Sequence, residues 1–308
     1  MSRLAVIEFT DPGCPWAYSA SPALAVLHWR YGDQLEWHHV MIGLAETGEH
    51  YEKRGYTPER HAGTPARFKR FGMPFGEMRR TRMCGTGRAC RAIVSARLDS
   101  EHHAYLALRE LRFGWFTTNL LMDEDDSIAE CLGRAPALDV EAIMARIDSP
   151  EVEEAYQEDK ALVRSAAGSA ASLQGKTANT DGEERYTATS LIFERGDQKL
   201  VAGGWQPLAA YDVLVANLDP MLDCRHGADN PADVLRELPY GLATREVALA
   251  MAAHNDEPDD EAVAEALAQS GAVQDESGRW RIGSNHAHAA DRSHGGARAV
   301  AGELRQHG

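Results

Sequence analysis

The pattern of apolar and polar positions near the start of the chain predicts a strand, a helix and a second strand. Residues 4–9 are rich in β-formers and predict the first strand. Apolar residues then recur at helical spacing over 15–31, which predicts a helix. Strand formers dominate 34–42 and predict a second strand, parallel to the first through a right-handed crossover. The turn before the helix therefore lies where unpaired backbone N–H groups collect.

The middle of the chain, from about residue 43 to 175, carries helical rather than strand periodicity. Apolar residues recur at steps of three and four, as at Tyr105, Leu108 and Leu111. This segment is predicted to be a helical insert. Its helices are expected over 57–71, 86–98, 101–121, 127–132, 140–147 and 152–167.

The first part of this insert is basic, although the whole protein is acidic. Only Glu52, Glu59 and Glu77 oppose its cations. Two interpretations remain open. The cations attract an anionic substrate or thiol cosubstrate, or they form a solvated face that pairs with acidic surface elsewhere. The cations are Lys53, Arg54, Arg60, Arg67, Lys69, Arg70, Arg79, Arg80, Arg82, Arg88 and Arg91.

A polar connection over 175–189 leads into the last third of the chain. Apolar runs at 190–193 and 200–201 flank a turn sequence and predict a hairpin, and a helix is expected over 208–218. Further on, three helices and a short hairpin indicate a small winged-helix-like module over 223–283. These are expected at 229–240, 244–254, 259–270 and 273–282.

The turn after the first strand carries the candidate chemistry, in the sequence D-P-G-C-P-W-A-Y at 11–18. It places Cys14 at the positive end of a helix dipole, which predicts a lowered thiol pKa and a nucleophilic thiolate. Pro15 suits the first helical turn, where its missing N–H costs nothing. The alternative is that Cys14 is a small buried apolar residue.

These residues resemble the DsbA-like branch of the thioredoxin superfamily, close to FrnE-type oxidoreductases, 2-hydroxychromene-2-carboxylate isomerases and kappa-class glutathione transferases. The resemblance implies an α/β, thioredoxin-like fold over 1–222, with the helical insert at about 43–175. The usual motif of the oxidoreductases is C-P-W-C. Ala17 stands at its fourth position, so the second cysteine of the redox pair is absent. The isomerases and transferases also lack that pair and act on a bound small thiol.

The same resemblance assigns a second strip of the site to Ala188, Thr189 and Ser190. In thioredoxin-like proteins a cis-proline faces the active-site cysteine before the third strand, and its flanking backbone pairs with substrate. Thr189 occupies that position here. Because a cis bond before a non-proline residue costs about 2.5–4 kcal/mol, a trans bond is expected. Its hydroxyl is expected near Cys14.

Composition narrows the class of protein. The net charge of −15 argues against nucleic-acid or anionic-membrane binding. The charge of the winged-helix-like module also argues against nucleic-acid binding, since residues 228–282 hold twelve acidic and four basic residues. The start of the chain shows no apolar leader, which predicts a cytoplasmic protein. No residues have metal-ligand spacing. The Ala/Gly/His-rich residues 284–308 are expected to be disordered.

The main functional hypothesis is a DsbA-family oxidoreductase in monothiol mode. Cys14 attacks a disulfide or an electrophile, a glutathione-like thiol resolves the adduct, and Pro15, Trp16 and Tyr18 line the substrate side. In a close variant, a thiol-dependent isomerase or transferase, Cys14 positions the thiol instead. A non-catalytic binding protein is the alternative from another class. No tightly bound cofactor is expected, and the related families suggest a possible homodimer.

Overall fold

A four-stranded mixed sheet forms the centre of the structure. This computed structural model describes residues 3–180, 182–253 and 256–283 of the 308-residue chain. The strands lie in the order β2-β1-β5-β6, with β2 parallel and β5 antiparallel to β1. The strands of this sheet are β1 (Leu4–Thr10), β2 (Leu35–Met41), β5 (Ser190–Arg195) and β6 (Gln198–Ala202). This sheet confirms the predicted thioredoxin-like core.

Helix α1 (Pro15–Tyr31) connects β1 to β2 and fits its predicted bounds. Pro15 begins it and Gly32, at φ +49°, ends it, because glycine tolerates the left-handed region. Apolar residues of α1, β1 and β5 share one buried core cluster, which includes Leu24, Leu27 and Phe193. Helix α11 (Leu208–Leu218) follows the hairpin and also agrees with its prediction.

The segment between β2 and β5 forms the expected helical insert. The predicted helix over 57–71 is divided because Gly63 and Pro65 interrupt it, and the helix expected to reach 121 ends at Thr117. The helices are α2 (Gly48–Glu52), α3 (Pro58–Ala62), α4 (Thr64–Phe68), α5 (Gly87–Arg97), α6 (Glu101–Thr117), α7 (Asp125–Leu132), α8 (Val140–Arg146), α9 (Pro150–Val163) and α10 (Ala170–Leu173).

The polar connection contains two short paired strands that periodicity did not predict. Strands β3 (Thr177–Ala178) and β4 (Arg185–Tyr186) pair antiparallel. With two residues each, they are too short to show an alternating pattern. They bring Tyr186 against Phe9 of β1, with the two rings stacked 4.3 Å apart. This packing places the residues that follow β4 beside the turn that holds Cys14.

The C-terminal region contains three helices and a three-stranded sheet in the order β7-β9-β8. Two buried ion pairs join it to α6: Arg109 with Glu246 at 2.7 Å, and Arg279 with Glu110 at 2.7 Å. These ion pairs hold the region against the insert. The resemblance of this region to a winged helix, and its bounds at 223–283, stay predictions. The elements are α12 (Pro231–Glu237), β7 (Leu242–Ala243), α13 (Thr244–Met251), α14 (Asp260–Gln269), β8 (Ala272–Gln274) and β9 (Arg279–Ile282).

The predicted disordered tail at 284–308 lies outside the described residues. Across the helices that are described, none has both the length and the apolar composition needed to span a membrane.

Candidate active site

Asp11 organises the turn that presents Cys14, a role that the sequence analysis missed. Its Oδ1 accepts the Gly13 N–H at 2.9 Å, while Oδ2 accepts the Leu44 N–H at 2.9 Å and the Thr86 hydroxyl at 3.0 Å. Asp11 is fully buried. Its bonds to Leu44 and Thr86 join the turn after β1 to the insert. The local signal was an aspartate two residues before a glycine, which is typical of an Asx turn.

Gly13 lies against the insert so closely that no side chain fits. A Cβ there would lie 2.7 Å from Thr86 Cγ2 and 2.9 Å from Trp115 Cζ2. The glycine therefore permits close approach rather than an unusual backbone angle. As a result the Cys14 turn is in direct contact with the indole of Trp115 on α6.

Cys14 precedes α1 and is only 6% exposed. Burial raises the pKa of the Cys14 thiol to about 11. The N–H groups of Ala17 and Trp16 lower this pKa and the Asp11 carboxylate raises it, and burial is the largest influence. The prediction of a lowered pKa is therefore wrong, because segments distant in sequence remove the thiol from water. The neutral S–H donates to the Ala188 carbonyl, with Sγ and O 3.7 Å apart.

Alkylation of Cys14 by iodoacetamide at neutral pH is expected to be roughly 300-fold slower than that of free cysteine, whose pKa is about 8.5, because the thiolate fraction falls tenfold per unit of raised pKa. The rate should keep rising up to about pH 11. Peptide mass spectrometry measures it separately for each cysteine, with Cys14→Ser as the blank. An inflection below pH 8 would contradict the structure.

The Ala188–Thr189 peptide bond is cis, so the expectation of a trans bond is wrong. The expectation of a trans bond considered the peptide bond by itself. In the folded protein, Ala188 and Thr189 are both held by tertiary contacts. Ala188 accepts the Cys14 S–H, and the buried Thr189 hydroxyl donates to Glu8 Oε1 at 3.5 Å. The hydroxyl thus contacts Glu8, and the backbone carbonyl of Ala188 contacts Cys14.

Two other residues predicted for the site have structural contacts instead. Tyr18 is fully buried in the insert's core, where its ring stacks on Phe116 and its hydroxyl donates to the Pro74 carbonyl at 2.8 Å. Helical geometry turns it away from Cys14, on the opposite side from the exposed Trp16. The Ser190 hydroxyl donates to the Thr187 carbonyl at 2.8 Å and accepts the Gly204 N–H at 2.9 Å.

A cavity of about 240 Å³ opens beside Cys14. Pro15 and Trp16 line it as predicted, opposite aromatic and basic side chains of the insert. Among the residues that the structure describes, none with a carboxylate lines it. A larger cavity of about 440 Å³ lies elsewhere, beside His28 and Trp37, and holds no cysteine. The insert residues that line the Cys14 cavity include Tyr51, Tyr56, Arg60, His61, Arg67, Phe68 and Trp115.

Some cations of the insert's basic first part form a solvated, paired face, and others line the Cys14 cavity. Arg82, Arg88 and Arg91 pair with carboxylates on other elements, as a solvated face would. Arg60 and Arg67 line the Cys14 cavity and form no ion pair with any residue that the structure describes. They lie instead over the neighbouring rings of Tyr56 and Phe68. These two guanidinium groups make the cavity favourable for an anion.

His61 contributes a neutral imidazole to the same cavity. Burial, with a further contribution from the charge of Arg80, lowers the pKa of His61 to about 4. Arg80 Nη1 lies 3.2 Å from His61 Nε2 and has only protons to donate. We therefore assign the imidazole proton to Nδ1. His61 is a hydrogen-bonding group here and carries no charge at neutral pH.

A family profile described as the DSBA-like thioredoxin domain matches residues 5–167, more than half of the chain. The chain belongs to the DsbA-like thioredoxin family. Members of this superfamily are thiol oxidoreductases, isomerases or transferases, and the chain is accordingly a thiol enzyme. A comparison with curated protein sequences gives no match.

Several solved structures are similar to this chain, and the first described below shares its fold. A proposed protein disulfide isomerase from Nitrosomonas europaea is 15% identical, with a TM-score of 0.54 over 70% of this chain and 97% of its own. The cytosolic disulfide reductase DsbM from Pseudomonas aeruginosa, solved with GSH, is 19% identical, with a TM-score of 0.48 over 71% of this chain and 98% of its own. A 2-hydroxychromene-2-carboxylate isomerase is 16% identical, with a TM-score of 0.41 over 70% and 95%.

The DsbA-like site of this chain contains one cysteine. Ala17 replaces the second motif cysteine, and all five cysteines are free. Cys84, Cys90 and Cys131 are buried in the insert. Cys90 donates to Asp11 at 3.7 Å. Within the described ranges, no group of three or more His, Cys, Asp or Glu residues could hold a metal ion.

Proposed function

We propose that this protein is a thiol-dependent enzyme whose reactive sulfur comes from a bound low-molecular-weight thiol of the glutathione type. Cys14 positions that sulfur as a hydrogen-bond donor. The observation that carries the proposal is the protonated Cys14 thiol at a cavity lined by Arg60 and Arg67, which form no ion pair with the described residues, and by no described carboxylate. To donate to an anionic sulfur, the single S–H proton of Cys14 turns away from the Ala188 carbonyl that accepts it in the unliganded structure. The cations of Arg60 and Arg67 suit the carboxylates of such a thiol.

The chemistry balances with the thiol as sole reductant. The cosubstrate releases its proton to solvent, and its thiolate attacks one sulfur of a substrate disulfide. A mixed disulfide forms and a substrate thiolate leaves. A second cosubstrate thiolate, its proton also released to solvent, attacks the cosubstrate sulfur of the mixed disulfide and expels the second substrate thiolate. The two substrate thiolates take up protons from solvent, so that two cosubstrate thiols are oxidised to one disulfide for each substrate disulfide reduced. With an electrophilic substrate, the same thiolate forms a carbon–sulfur bond and expels the leaving group.

A second candidate assigns the attack to Cys14 itself, in the monothiol mode. The N–H groups of Trp16 and Ala17 and the charge of Arg112 all lower the Cys14 pKa, so they favour a thiolate whenever burial is relieved. A non-catalytic binding protein would retain the cavity without turnover. All three functions suit the cytoplasm, where a reduced thiol pool keeps cysteines free. A homodimer stays a prediction.

Calorimetric titration with glutathione tests the proposal. Wild-type protein should bind glutathione, and Arg67→Ala should weaken binding several-fold because it removes a charge from the cavity. Arg70→Ala is the matched control, since Arg70 lies over the neighbouring Phe71 ring and does not line the cavity. Turnover is then assayed with hydroxyethyl disulfide and with chlorodinitrobenzene. Absence of glutathione binding would overturn the proposal, and binding without turnover would support the non-catalytic alternative.

A further inference from the structure

The hydroxyl of Tyr51 is a free hydrogen-bond donor at the cavity beside Cys14. Tyr51 belongs to α2 and lines this cavity. Its hydroxyl forms no hydrogen bond with any residue that the structure describes. Protein atoms do not enclose this oxygen, whereas they do enclose the indole nitrogens of Trp37 and Trp115. The Tyr51 O–H can therefore donate to a ligand in the cavity without giving up another bond.

The hydroxyl end of Tyr51 lies at the deep end of the cavity. The residue as a whole is half-buried, yet burial raises the pKa of its hydroxyl well above the ordinary value. Negative charge on the Asp11 carboxylate or the Cys14 sulfur raises this pKa further. Because the interaction between charges weakens with distance, the hydroxyl lies near the Cys14 turn. It stays protonated at neutral pH and is available as a donor.

The segment that carries Tyr51 is hydrogen-bonded to the carboxylate that shapes the Cys14 turn. The Leu44 N–H donates to Asp11 Oδ2 at 2.9 Å, and the Leu44 carbonyl accepts Arg54 Nη1 at 2.7 Å. The backbone N–H of Arg54 donates in turn to the Tyr51 carbonyl at 3.0 Å. Tyr51 and Cys14 are therefore held in a fixed arrangement, which preorganised donors require.

Aromatic and cationic contacts lead from Tyr51 to the rim of the cavity. The ring of Tyr51 lies edge-on to that of Tyr56, with centroids 5.5 Å apart, and the Arg60 guanidinium lies 4.8 Å from the Tyr56 centroid. Tyr56 is 39% exposed, and Arg60 is exposed as well. The cavity thus has neutral donors at its deep end and cations at its open end. A thiol whose carboxylates are separated from its sulfur matches this order.

We propose that the Tyr51 hydroxyl donates to the sulfur of the bound thiol cosubstrate, which lies between Tyr51 and Cys14. This inference rests on the proposed function and adds a second donor and an orientation to it. The carboxylates of the cosubstrate lie outward, at Arg60 and Arg67. In the unliganded structure the Cys14 S–H donates to the Ala188 carbonyl. Tyr51 is therefore the donor that the sulfur meets without rearrangement, and Cys14 turns toward it afterwards.

Tyr51→Phe tests this role, because it removes the hydroxyl and keeps the ring. Since the hydroxyl has no hydrogen-bond partner in the described structure, its loss should not destabilise the fold. The thiolate absorbance in the ultraviolet is followed against pH, as the difference between protein with and without glutathione. Relative to wild type, the titration of bound glutathione should move up by about one pH unit, with about tenfold lower affinity for the ionised form. Binding of S-methylglutathione, which has no ionisable sulfur, should stay unchanged.

Tyr105→Phe is the matched control. It removes a tyrosine hydroxyl at the other cavity, where this group lies 3.4 Å from the Tyr240 hydroxyl, and it should leave the titration of bound glutathione unchanged. Equal titrations for wild type and Tyr51→Phe would overturn the inference and leave the proposed function standing. Equal weakening of glutathione and S-methylglutathione would also overturn it, since Tyr51 would then contribute packing alone. Absence of glutathione binding to wild type would instead refute the proposed function, and this inference with it.

Discussion

Replacing Cys14 by serine is expected to retain most of the glutathione-dependent turnover, whereas replacing it by alanine should lower kcat/KM by about 100-fold. Serine keeps a neutral hydroxyl donor in the place of the S–H, and alanine removes the donor altogether. The loss expected for alanine is that of one preorganised donor at an anionic centre. The measurement is kcat/KM with glutathione and either hydroxyethyl disulfide or chlorodinitrobenzene.

The physical reason is the protonation state of Cys14. With a pKa of about 11, roughly one protein in ten thousand carries the Cys14 thiolate at pH 7. A nucleophile that is so rarely ionised gains little over the thiol in solution. As a donor, in contrast, the neutral thiol is present in nearly every molecule. The same burial that disfavours attack by Cys14 therefore favours its positioning role.

The serine variant separates the two candidate mechanisms. If Cys14→Ser is as inactive as Cys14→Ala, Cys14 is the nucleophile and the monothiol mode is correct. If neither variant changes turnover or glutathione binding, the chemistry takes place elsewhere. Cys224→Ser, at the exposed cysteine, is the control for general loss of a thiol and should behave as wild type.

The elements that were predicted well carry strong local signals. Helix α1 has a proline at its start and a glycine at its end, and β1 and β5 contain the apolar runs at 4–7 and 191–193. Where signals were weak, the prediction failed. The two residues of β3 have no periodicity, and the bounds of the insert helices depend on Gly63 and Pro65 rather than on apolar spacing.

The site was predicted in outline but not in its electrostatics. The motif indicated Cys14 and its helix N-terminus, yet the pKa of Cys14 depends on burial by residues far away in sequence. Trp115 contacts the turn from about a hundred residues later, and Ala188 from 174 residues later. Asp11 was visible in the sequence, but its bonds to Leu44 and Thr86 were not. Contacts between residues so far apart in the chain produce no periodic or compositional signal in the sequence.

Arg112→Met is expected to lower the free energy of unfolding by about 3–5 kcal/mol at neutral pH, because the buried Glu8 carboxylate loses its guanidinium partner and keeps only the His39 imidazole, 3.7 Å away. Glu8 on β1 is fully buried, and Arg112 Nη2 donates to its Oε1 at 2.9 Å. Burial alone would raise the Glu8 pKa, but the charges of Arg112 and His39 outweigh it and leave this pKa below its ordinary value. Urea unfolding measures the loss.

The stability lost in Arg112→Met should depend on pH. In wild type, the lowered pKa of Glu8 contributes stability above the carboxyl's unfolded pKa, and this contribution is lost as the pH falls. In Arg112→Met the pKa of Glu8 should be raised by burial, so the penalty is present at neutral pH and disappears in acid. The stability difference between the two proteins should therefore shrink as the pH approaches 4.

Two further variants test whether the cause is charge. Glu8→Gln combined with Arg112→Met removes both charges and should recover a large part of the loss, since a neutral amide is less costly to bury. Arg134→Met breaks a surface pair with Glu130 and should cost less than about 1 kcal/mol. A double variant as unstable as Arg112→Met would mean that lost packing, rather than the loss of the carboxylate's guanidinium partner, destabilises the sheet. Because Glu8 also accepts the Thr189 hydroxyl, the single variant should disturb the residues facing Cys14 as well.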